Sequence, residues 1–208
     1  MGSISFIDGT SGLGKTTIAD HSNDLAHYAE NNPALNKLLE KGSGPNLWQS
    51  LYTVQVMIDA SKHLKAGFVY DRSPISVLAY SILNSLNGTI SNPKTFKKRL
   101  SAAFSDDFKQ YLIHTIRAIY FYYMDHGYHP IFYIAIAKNP QQTAERMQFR
   151  NMAFEKNMKL IEYVENQNTI FKEIYDLCDK DEVLSPVVRL RVVNEFLDKN
   201  DKETMIHV

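Results

Sequence analysis

Short apolar runs and longer amphipathic segments alternate along the chain, and their different periods predict different elements. Four short runs rich in β-branched and aromatic residues have the pattern of buried strands: residues 4–8, 67–71, 129–137 and 186–193. Between them, apolar residues recur three and four positions apart, which is the spacing of a helix that buries one face. Strands separated by long helices favour a parallel sheet covered on both faces. We therefore predict an α/β fold with a small parallel sheet of about four strands, predominantly helical by residue count.

The helices are predicted from this spacing together with the glycines and prolines that interrupt it. One helix begins near Pro74 and ends before Gly88, and Gly67 ends the helix that precedes it. The apolar arc between Ala103 and Met124 includes Tyr111 and is wide enough to predict a buried helix. The predicted helical ranges are about 14–30, 47–65, 74–86, 103–124 and 154–179.

Composition and charge restrict the function classes further. The 208 residues, 44% of them hydrophobic, contain no repeat or low-complexity tract, so we predict one domain over residues 1–208. Lys plus Arg and Asp plus Glu both number 23, and a net charge of zero provides no overall field to attract nucleic acid or an anionic membrane. No segment has the length of a membrane span. We expect neither a nucleic-acid partner nor a membrane partner.

The cysteine content bears on the compartment. Cys178 is the single cysteine, so the chain cannot form an intramolecular disulfide. Because its start also lacks a signal-peptide pattern, we expect an intracellular protein in a reducing environment. A lone cysteine is most often a small buried apolar side chain. The alternative interpretation is a thiol that forms a disulfide between two chains.

The strongest chemical motif follows the first predicted strand. Residues 9–16, GTSGLGKT, match the phosphate-binding pattern G-x-x-x-x-G-K-[ST] and lie between a predicted strand and a predicted helix, the context that this pattern requires. Glycines allow backbone N–H groups to curl around phosphate oxygens, and the following helix start adds a positive dipole end. The lysine carries a positive charge to the terminal phosphates, and the threonine hydroxyl is a ligand for Mg²⁺. We expect ATP with Mg²⁺ to bind at Gly9, Gly12, Gly14, Lys15, Thr16 and Thr17.

A second motif, YDRSP over residues 70–74, lies at the end of the second predicted strand. An acid followed by an arginine at that point brings a carboxylate near a metal ion and a guanidinium near a phosphoryl group in transfer. We therefore predict that Asp71 is a metal ligand and Arg72 a catalytic residue. The alternative is a surface ion pair, which is the commoner role of an Asp-Arg pair taken alone.

A third motif, AERMQFRNMAFE over residues 144–155, follows the third predicted strand. Arg146 and Arg150 are four residues apart, so on a helix they share one face and can close together over a phosphate group. We predict that both arginines are catalytic. The alternative is a solvent-exposed helix face whose arginines neighbour Glu145 and Glu155.

In this order the three motifs resemble those of the deoxynucleoside kinases, and most closely the herpesvirus-type thymidine kinases. That family has IDG with G-x-G-K-T-T, then DRHP, then a lid of the form R-x-x-x-R followed by a glutamate; this chain has FIDGTSGLGKTT, YDRSP and ERMQFRNMAFE. The similarity covers about residues 4–178. It implies a P-loop kinase fold that transfers the γ-phosphoryl group of ATP to the 5′-hydroxyl of a pyrimidine deoxynucleoside. It also implies a viral protein that acts in the infected cell.

The resemblance further implies roles for individual residues. The segment LYTVQVMID resembles the base-reading helix of the family, which makes Gln55 the partner of the pyrimidine edge and Ile58 the residue that packs on its face. Glu155 corresponds to the acid that meets the sugar. The base-stacking tyrosine of the family aligns with Ser81, and the adjacent Tyr80 is our candidate for that role. The phosphate, metal and lid residues of the family correspond to Lys15, Thr16, Asp71, Arg72, Arg146 and Arg150.

Phosphoryl transfer to a hydroxyl also needs a carboxylate that accepts the proton. The family places this general base, a glutamate, after a strand between the P-loop helix and the base-reading helix, and the corresponding residues 21–50 have no strand pattern. Our candidate is Glu40, with Glu30 and Asp24 as alternatives; each is otherwise an acid on a helix surface. A nucleoside monophosphate kinase is the near variant of the same chemistry.

A different function class stays open beside the kinase. A kinase fold can be reused as a self-assembling structural protein, of the viral matrix or occlusion-body type, with little or no catalysis. This alternative is motivated by the missing strand pattern, the zero net charge, the 12 tyrosines and the single Cys178. An uncovered sheet edge would also need a partner, such as a segment swapped from a second chain. We predict a homo-oligomer, with extended self-assembly as the further form.

Overall fold

A parallel sheet forms the centre of the structure, a computed structural model that describes residues 2–19, 58, 64–150 and 159–206, with only the backbone of Arg150. The sheet has four strands in the order β2-β1-β3-β4, and every neighbouring pair is parallel. These findings confirm the α/β fold and the four predicted strands. The strand bounds are Gly2–Gly9 (β1), Val69–Asp71 (β2), Tyr128–Ala137 (β3) and Val188–Val193 (β4).

Helices hold far more residues than strands in the described part of the chain, as predicted. Several begin with a local signal, because the side chains of Ser73, Asn92 and Ser105 each accept a hydrogen bond from a backbone N–H two or three residues later. Pro74 and Pro93 occupy the position after two of these caps. The helix bounds are Lys15–Ile18 (α1), Pro74–Ser85 (α2), Pro93–Ala103 (α3), Asp106–Asp125 (α4), Pro140–Arg150 (α5), Leu160–Cys178 (α6) and Lys199–Ile206 (α7).

Helices cover both faces of the sheet. Ser5 and Phe6 are neighbours on β1, so their side chains point to opposite faces. The Phe6 ring lies 5.0 Å from the Tyr123 ring of α4, centroid to centroid. Helices α2, α4 and α6 pack against the sheet, and α6 also packs against α2 and α4. On the other face, the Ser5 hydroxyl donates to the Met205 carbonyl at 2.7 Å, which brings α7 onto the sheet beside α1.

The helix after the glycine-rich loop is much shorter than predicted. It ends at Ile18, and Ala19 has extended backbone angles, φ −68° and ψ 140°. The prediction of a continuous helix over 14–30 is therefore wrong at Ala19, and the rest of that range lies outside the described residues. One helical turn aligns few peptide dipoles, so the positive end expected at this helix start is weak.

The helix predicted over 103–124 is observed with slightly shifted bounds, and it is more exposed than predicted. The helix predicted over 103–124 begins at Asp106, because Ser105 caps it and the residues before belong to α3. Its outer face leaves Tyr111 45% and Phe121 48% exposed, so the helix is buried on one side only. Three helices that apolar spacing did not predict, α3, α5 and α7, bury few apolar side chains: Phe96, Leu100, Ala144, Met147 and Met205.

The helix predicted over 154–179 is observed from Leu160 onward, and residues 151–158 lie outside the described residues. Most of the helix predicted over 47–65 lies outside them too. Near the end of α6, Cys178 is fully buried and free, which agrees with the buried apolar side chain predicted. Burial raises the pKa of its thiol to about 12, and a disulfide to a second chain would require α6 to open locally.

None of the helices in the described ranges is both long enough and apolar enough to cross a membrane.

Candidate functional site

The three sequence motifs meet at one edge of the sheet, where the carboxyl ends of β1, β2 and β3 lie side by side. The glycine-rich loop leaves β1 at Gly9, and Asp71 is the last residue of the neighbouring β2. On the other side of β1, the backbone N–H of Thr10 donates to the Ala135 carbonyl of β3 at 2.9 Å. This edge is where ligands bind in parallel α/β sheets.

Two glycines of the loop are required by close packing as well as by backbone angle. A Cβ on Gly9, where φ is 125°, would lie 1.9 Å from the Ala135 carbonyl oxygen. On Gly12, where φ is 81°, it would lie 2.9 Å from Cγ of Met147 on α5. No side chain fits at Gly9 without moving β3. The loop is therefore built for close backbone approach.

The lysine and threonine of the motif sit beside the carboxylate of β2. The ammonium of Lys15 is buried and donates to the Thr10 carbonyl at 2.6 Å. The Thr16 hydroxyl donates to Oδ2 of Asp71, which joins the first two motifs directly. Oδ1 of Asp71 is buried and has no hydrogen-bond partner in the described part of the chain. Thr17 is exposed, and its backbone N–H donates to the Gly14 carbonyl at 3.0 Å.

An unpaired carboxylate oxygen beside a threonine hydroxyl matches the donor set that Mg²⁺ prefers, which is oxygen from one or two carboxylates together with waters and phosphates. A buried acceptor without a partner is unfavourable, and a hard cation would satisfy it. Asp71 and Thr16 therefore fit the metal that the motif implies. Among the described residues, no group of three or more His, Cys, Asp or Glu side chains is arranged to hold a metal ion.

Asp8, which the sequence analysis did not single out, ties the end of β1 to the start of α2. Its fully buried carboxylate accepts hydrogen bonds from the backbone N–H groups of Ser73 and Ser76, at 2.8 and 3.2 Å, and from both of their hydroxyls. Burial raises the pKa of Asp8, and the hydrogen bonds from Ser76 and Ser73 and the charge of Lys15 oppose that rise. The signal in the sequence was an acid at the end of an otherwise apolar strand.

The arginine of the second motif has unusual backbone geometry. Arg72 has φ 70°, in the left-handed region that residues with a side chain rarely adopt. Its backbone N–H donates to the Ile7 carbonyl at 3.0 Å, which continues the strand pairing for one residue. Its guanidinium lies 5.9 Å from the centre of the Tyr80 ring on α2. The Asp8 hydrogen bonds to Ser73, the next residue, hold the chain in this conformation.

Tyr80, predicted to stack on a base, contacts the glycine-rich loop. Its hydroxyl lies 3.1 Å from the Ser11 hydroxyl, 3.3 Å from the Gly9 carbonyl and 3.3 Å from Oε1 of Gln167. Its ring packs edge-on against Phe171. Burial raises the pKa of its phenol, and the nearby Arg72 charge opposes that rise. The role of Tyr80 toward a base stays a prediction.

Two amide side chains of α6 also reach the loop, and sequence reasoning missed both. Oε1 of Gln167 accepts the backbone N–H of Ser11 at 2.7 Å, and Oδ1 of Asn168 accepts the Thr10 hydroxyl at 2.7 Å. Asn168 also pairs with both backbone groups of Ala137, the last residue of β3. The available signal was the polar run ENQN, residues 165–168, in the middle of an apolar helix.

The helix of the third motif lies against the same loop. Arg146 on α5 donates from a terminal nitrogen to the Thr143 hydroxyl at 3.1 Å. Its Nε is buried without a hydrogen-bond partner among the residues described. Thr143 and Met147 of the same helix are the side chains nearest to Gly12. The structure thus brings the helix that carries Arg146 against the loop, whereas the side chain of Arg150 lies outside the described part.

The predicted substrate residues are largely outside the described residues. These are Glu40, its alternatives Glu30 and Asp24, Gln55 and Glu155. Ile58 is described: it is partly buried against the core, and its carbonyl accepts the Tyr122 hydroxyl at 3.1 Å. The general base, the base-reading amide and the sugar-binding acid all remain predictions.

A pocket opens beside the loop at the carboxyl end of β4. It has a volume of about 510 Å³ and is lined by residues 190–197 and Asp201. The Leu197 backbone N–H donates to the Leu13 carbonyl at 2.9 Å, which joins the pocket wall to the glycine-rich loop. Phe196, 57% exposed, stands at this wall, and Arg191 pairs with Asp201 at 2.7 Å.

Comparison with known proteins gives a structural similarity without a sequence match. No family model matches the chain, and no curated protein matches it. Among solved structures, the chain is similar to a deoxyadenosine kinase from M. mycoides with bound dATP, at 17% identity and a TM-score of 0.49, covering 98% of this chain and 96% of that one. A similarity of this size does not assign a function.

Proposed function

We propose that the protein is a nucleoside kinase that transfers the γ-phosphoryl group of Mg-ATP to the 5′-hydroxyl of a deoxynucleoside, with a pyrimidine as the preferred base. The observation that carries the proposal is the junction of the first two motifs. Lys15 and Thr16 start α1 while Thr16 bonds Asp71, whose second oxygen is buried and unpaired within the described chain. A phosphate loop joined to an open metal ligand is what phosphoryl transfer requires.

The loop supplies most of the phosphate binding. With only one turn of helix behind it, binding depends on the N–H groups that the left-handed glycines expose and on the Lys15 ammonium. Lys15 would exchange its hydrogen bond to the Thr10 carbonyl for phosphate oxygens, since the carbonyl is a neutral acceptor and the phosphates are charged. Thr16 and Asp71 would hold Mg²⁺, which neutralises phosphate charge when it is bound.

Two arginines favour phosphoryl transfer over simple nucleotide binding. Arg72 comes directly after the metal ligand Asp71, and its left-handed backbone is a strained conformation of the kind found at active sites. Arg146 has a buried Nε without a partner among the described residues and lies on the helix that contacts Gly12. Guanidinium groups recognise phosphoryl oxygens through paired hydrogen bonds. We propose that both stabilise the charge that develops on the transferred group, with Arg150 completing the pair on α5.

The pocket after β4 is proposed to take the base of ATP. It adjoins the loop through Leu197 and Leu13, so a nucleotide with its phosphates on the loop would have its base within reach. The exposed ring of Phe196 offers a stacking surface. The nucleoside is proposed to meet Gln55, Ile58, Tyr80 and Glu155, and Glu40 is proposed to accept the proton of the 5′-hydroxyl.

The test is ATP-dependent phosphorylation of thymidine, with thymidylate offered in parallel to separate the nucleoside kinase from its monophosphate variant. Lys15→Ala should lower the rate by about 100-fold or more, because it removes the charge opposite the terminal phosphates. Lys180→Ala, which removes an exposed lysine after α6, is the control and should keep the full rate. Wild-type protein that phosphorylates neither a nucleoside nor a nucleotide would overturn the proposal.

Self-association is the second candidate, and exposed apolar side chains favour it. Tyr111 and Phe121 lie on the outer face of α4, and Phe149 on α5 is 89% exposed. In the described sheet, β2 and β4 are the edge strands. We propose a homo-oligomer on this basis. Light scattering would show it as a mass above 23.9 kDa, and large particles without kinase activity would favour the structural protein over the enzyme.

A further inference from the structure

Three consecutive amide residues of α6, Asn166, Gln167 and Asn168, form hydrogen bonds to two different parts of the chain. Asn166 and Gln167 are both fully buried, in a helix whose other buried residues are mostly apolar. The Asn166 amide donates to the Gly88 and Ser91 carbonyls, both at 2.8 Å, and so holds the connection between α2 and α3. Gln167 and Asn168 instead reach the glycine-rich loop. The chain thus contains a buried amide at the loop and, next to it, a buried amide away from the loop.

The orientation of the Gln167 amide follows from its partner. The backbone N–H of Ser11 is a donor, so the Gln167 atom 2.7 Å away must be the acceptor Oε1. If the amide were flipped, its NH₂ group would lie opposite the Ser11 N–H, and two donors cannot form a hydrogen bond. Oε1 also lies 3.3 Å from the Tyr80 hydroxyl. The amide Nε2 is buried without a partner in the ranges described. The described polar contacts of this side chain are therefore made by its oxygen, toward the loop and Tyr80.

The neighbouring Asn168 forms hydrogen bonds to Thr10, the loop residue before Ser11, and to the last residue of β3. Its Oδ1 accepts the Thr10 hydroxyl and the Ala137 N–H, and its Nδ2 donates to the Ala137 carbonyl. One turn of α6 therefore bonds the second and third residues of the phosphate loop and the end of the adjacent strand. Such contacts fix peptide planes before a ligand arrives, which reduces the cost of binding.

We infer that Gln167 is a positioning residue for phosphate binding: it holds the Ser11 peptide, and with it the loop N–H groups that follow, in the conformation that receives a nucleotide. The inference rests on the proposed function, because it concerns the same loop. It adds a role for α6, which contributes none of the three motifs that carried the kinase proposal. Because Gln167 does not itself hold phosphate, it acts on how tightly ATP binds and not on the chemical step.

The experiment compares two neighbouring buried amides. Gln167→Met keeps the length of the side chain and removes the acceptor for Ser11, whereas Asn166→Leu keeps the volume and removes the donors to Gly88 and Ser91. For Gln167→Met we expect the Kd for Mg-ATP and the KM for ATP to rise about tenfold, with kcat within about twofold of the wild type. A tenfold change is about the size of effect seen when a residue that orients a metal ligand is replaced. For Asn166→Leu we expect a lower Tm with unchanged Kd for ATP.

The outcomes separate this inference from the proposed function. A wild-type protein that does not bind ATP overturns both. A wild-type protein that binds ATP while Gln167→Met binds equally well, or loses kcat and not affinity, overturns the inference alone. If Gln167→Met does not fold, Gln167→Ala is measured in the same way. Hydrogen exchange of the wild-type Ser11 amide without nucleotide gives a readout that needs no variant: protection supports the hold by Gln167, and fast exchange overturns it.

Discussion

The loops that leave β1 and β2 lie side by side at the same edge of the sheet, and both turn through left-handed backbone. The first uses glycine at each such position, Gly9, Gly12 and Gly14, with φ of 125°, 81° and 78°. The second uses Arg72, with φ 70°. A glycine adopts this conformation at almost no cost, whereas a residue with a Cβ pays about 1–2 kcal/mol.

The difference reflects what each loop offers a ligand. Under the proposed function, the first loop binds phosphate through backbone N–H groups, which are most accessible where no Cβ is present. Gly9 also lies so close to β3 that no side chain fits. Under the same proposal, the second loop presents the Arg72 guanidinium to the phosphoryl group, which requires a side chain despite the strain. Asp8 offsets that strain through its hydrogen bonds to Ser73 and Ser76. The two neighbouring loops thus adopt left-handed backbone in different ways: the first uses glycine, and the second uses Arg72 with the support of the buried Asp8 carboxylate.

Among the variants that test this comparison, Gly9→Ala should have the largest effect on stability. Its Cβ would lie 1.9 Å from the Ala135 carbonyl oxygen, so β1 and β3 would have to separate. We expect the free energy of unfolding, measured by urea denaturation, to fall by about 3 kcal/mol or more. The matched control is Gly67→Ala, where φ is 79° and no atom lies within 4 Å of the added Cβ, so only the backbone strain of about 1 kcal/mol remains. Equal losses for the two variants would contradict the close-approach argument.

Asp8→Asn tests the contribution of the buried Asp8 carboxyl group to stability as the pH changes. The pKa of Asp8 is raised by burial above its ordinary 3.8, so ionisation is harder in the folded than in the unfolded chain. The stability that the protonated form contributes is complete below 3.8 and is lost as the pH rises through the folded pKa. We expect the wild type to lose stability relative to Asp8→Asn over that interval, by about 1.4 kcal/mol for each unit of pKa elevation.

The measurement is urea denaturation of both proteins at a series of pH values from acid to neutral. The Asn variant keeps an oxygen that can accept the Ser73 and Ser76 N–H groups, so it should fold and keep the backbone of Arg72. A stability difference that stays constant with pH would show that the hydrogen bonds from the two serines cancel the effect of burial.

Arg72→Gly should have the smallest effect on stability and a large effect on function. Removing the Cβ relieves the left-handed strain, partly offset by the greater freedom of glycine in the unfolded chain, so we expect a gain of about 0.5 kcal/mol. Thymidine phosphorylation should fall by about 100-fold with loss of the guanidinium. Asn87→Gly, at the other described non-glycine residue with positive φ, is the control and should leave the rate unchanged. An Arg72→Gly protein with full activity would show that the Arg72 side chain has no part in catalysis.

The features predicted correctly from the sequence depend on short-range rules. The four strands follow from runs of apolar β-branched residues, and the left-handed turns after β1 follow from the glycines of the loop motif. The roles of those glycines and of Lys15 toward phosphate stay predictions. The end of the helix at Ile18 was not predicted, because the sequence around it contains good helix formers and nothing local marks the extended backbone at Ala19. Similarly, local spacing could not show that Tyr111 faces solvent, since aromatic residues lie on both faces of that helix.

The supports of the site were not predictable in this way, because they join residues far apart in the chain. Ser11 and Gln167 are 156 residues apart, and Asp8 and Ser73 are 65 apart. An acid on a strand or an amide in a helix has no assigned partner until the sheet order β2-β1-β3-β4 brings the elements together. Local sequence therefore determined the strands and the backbone of the glycine-rich loop. Tertiary packing alone decided which buried polar groups hold that loop in place, since a buried donor or acceptor is satisfied by whatever lies opposite it in space.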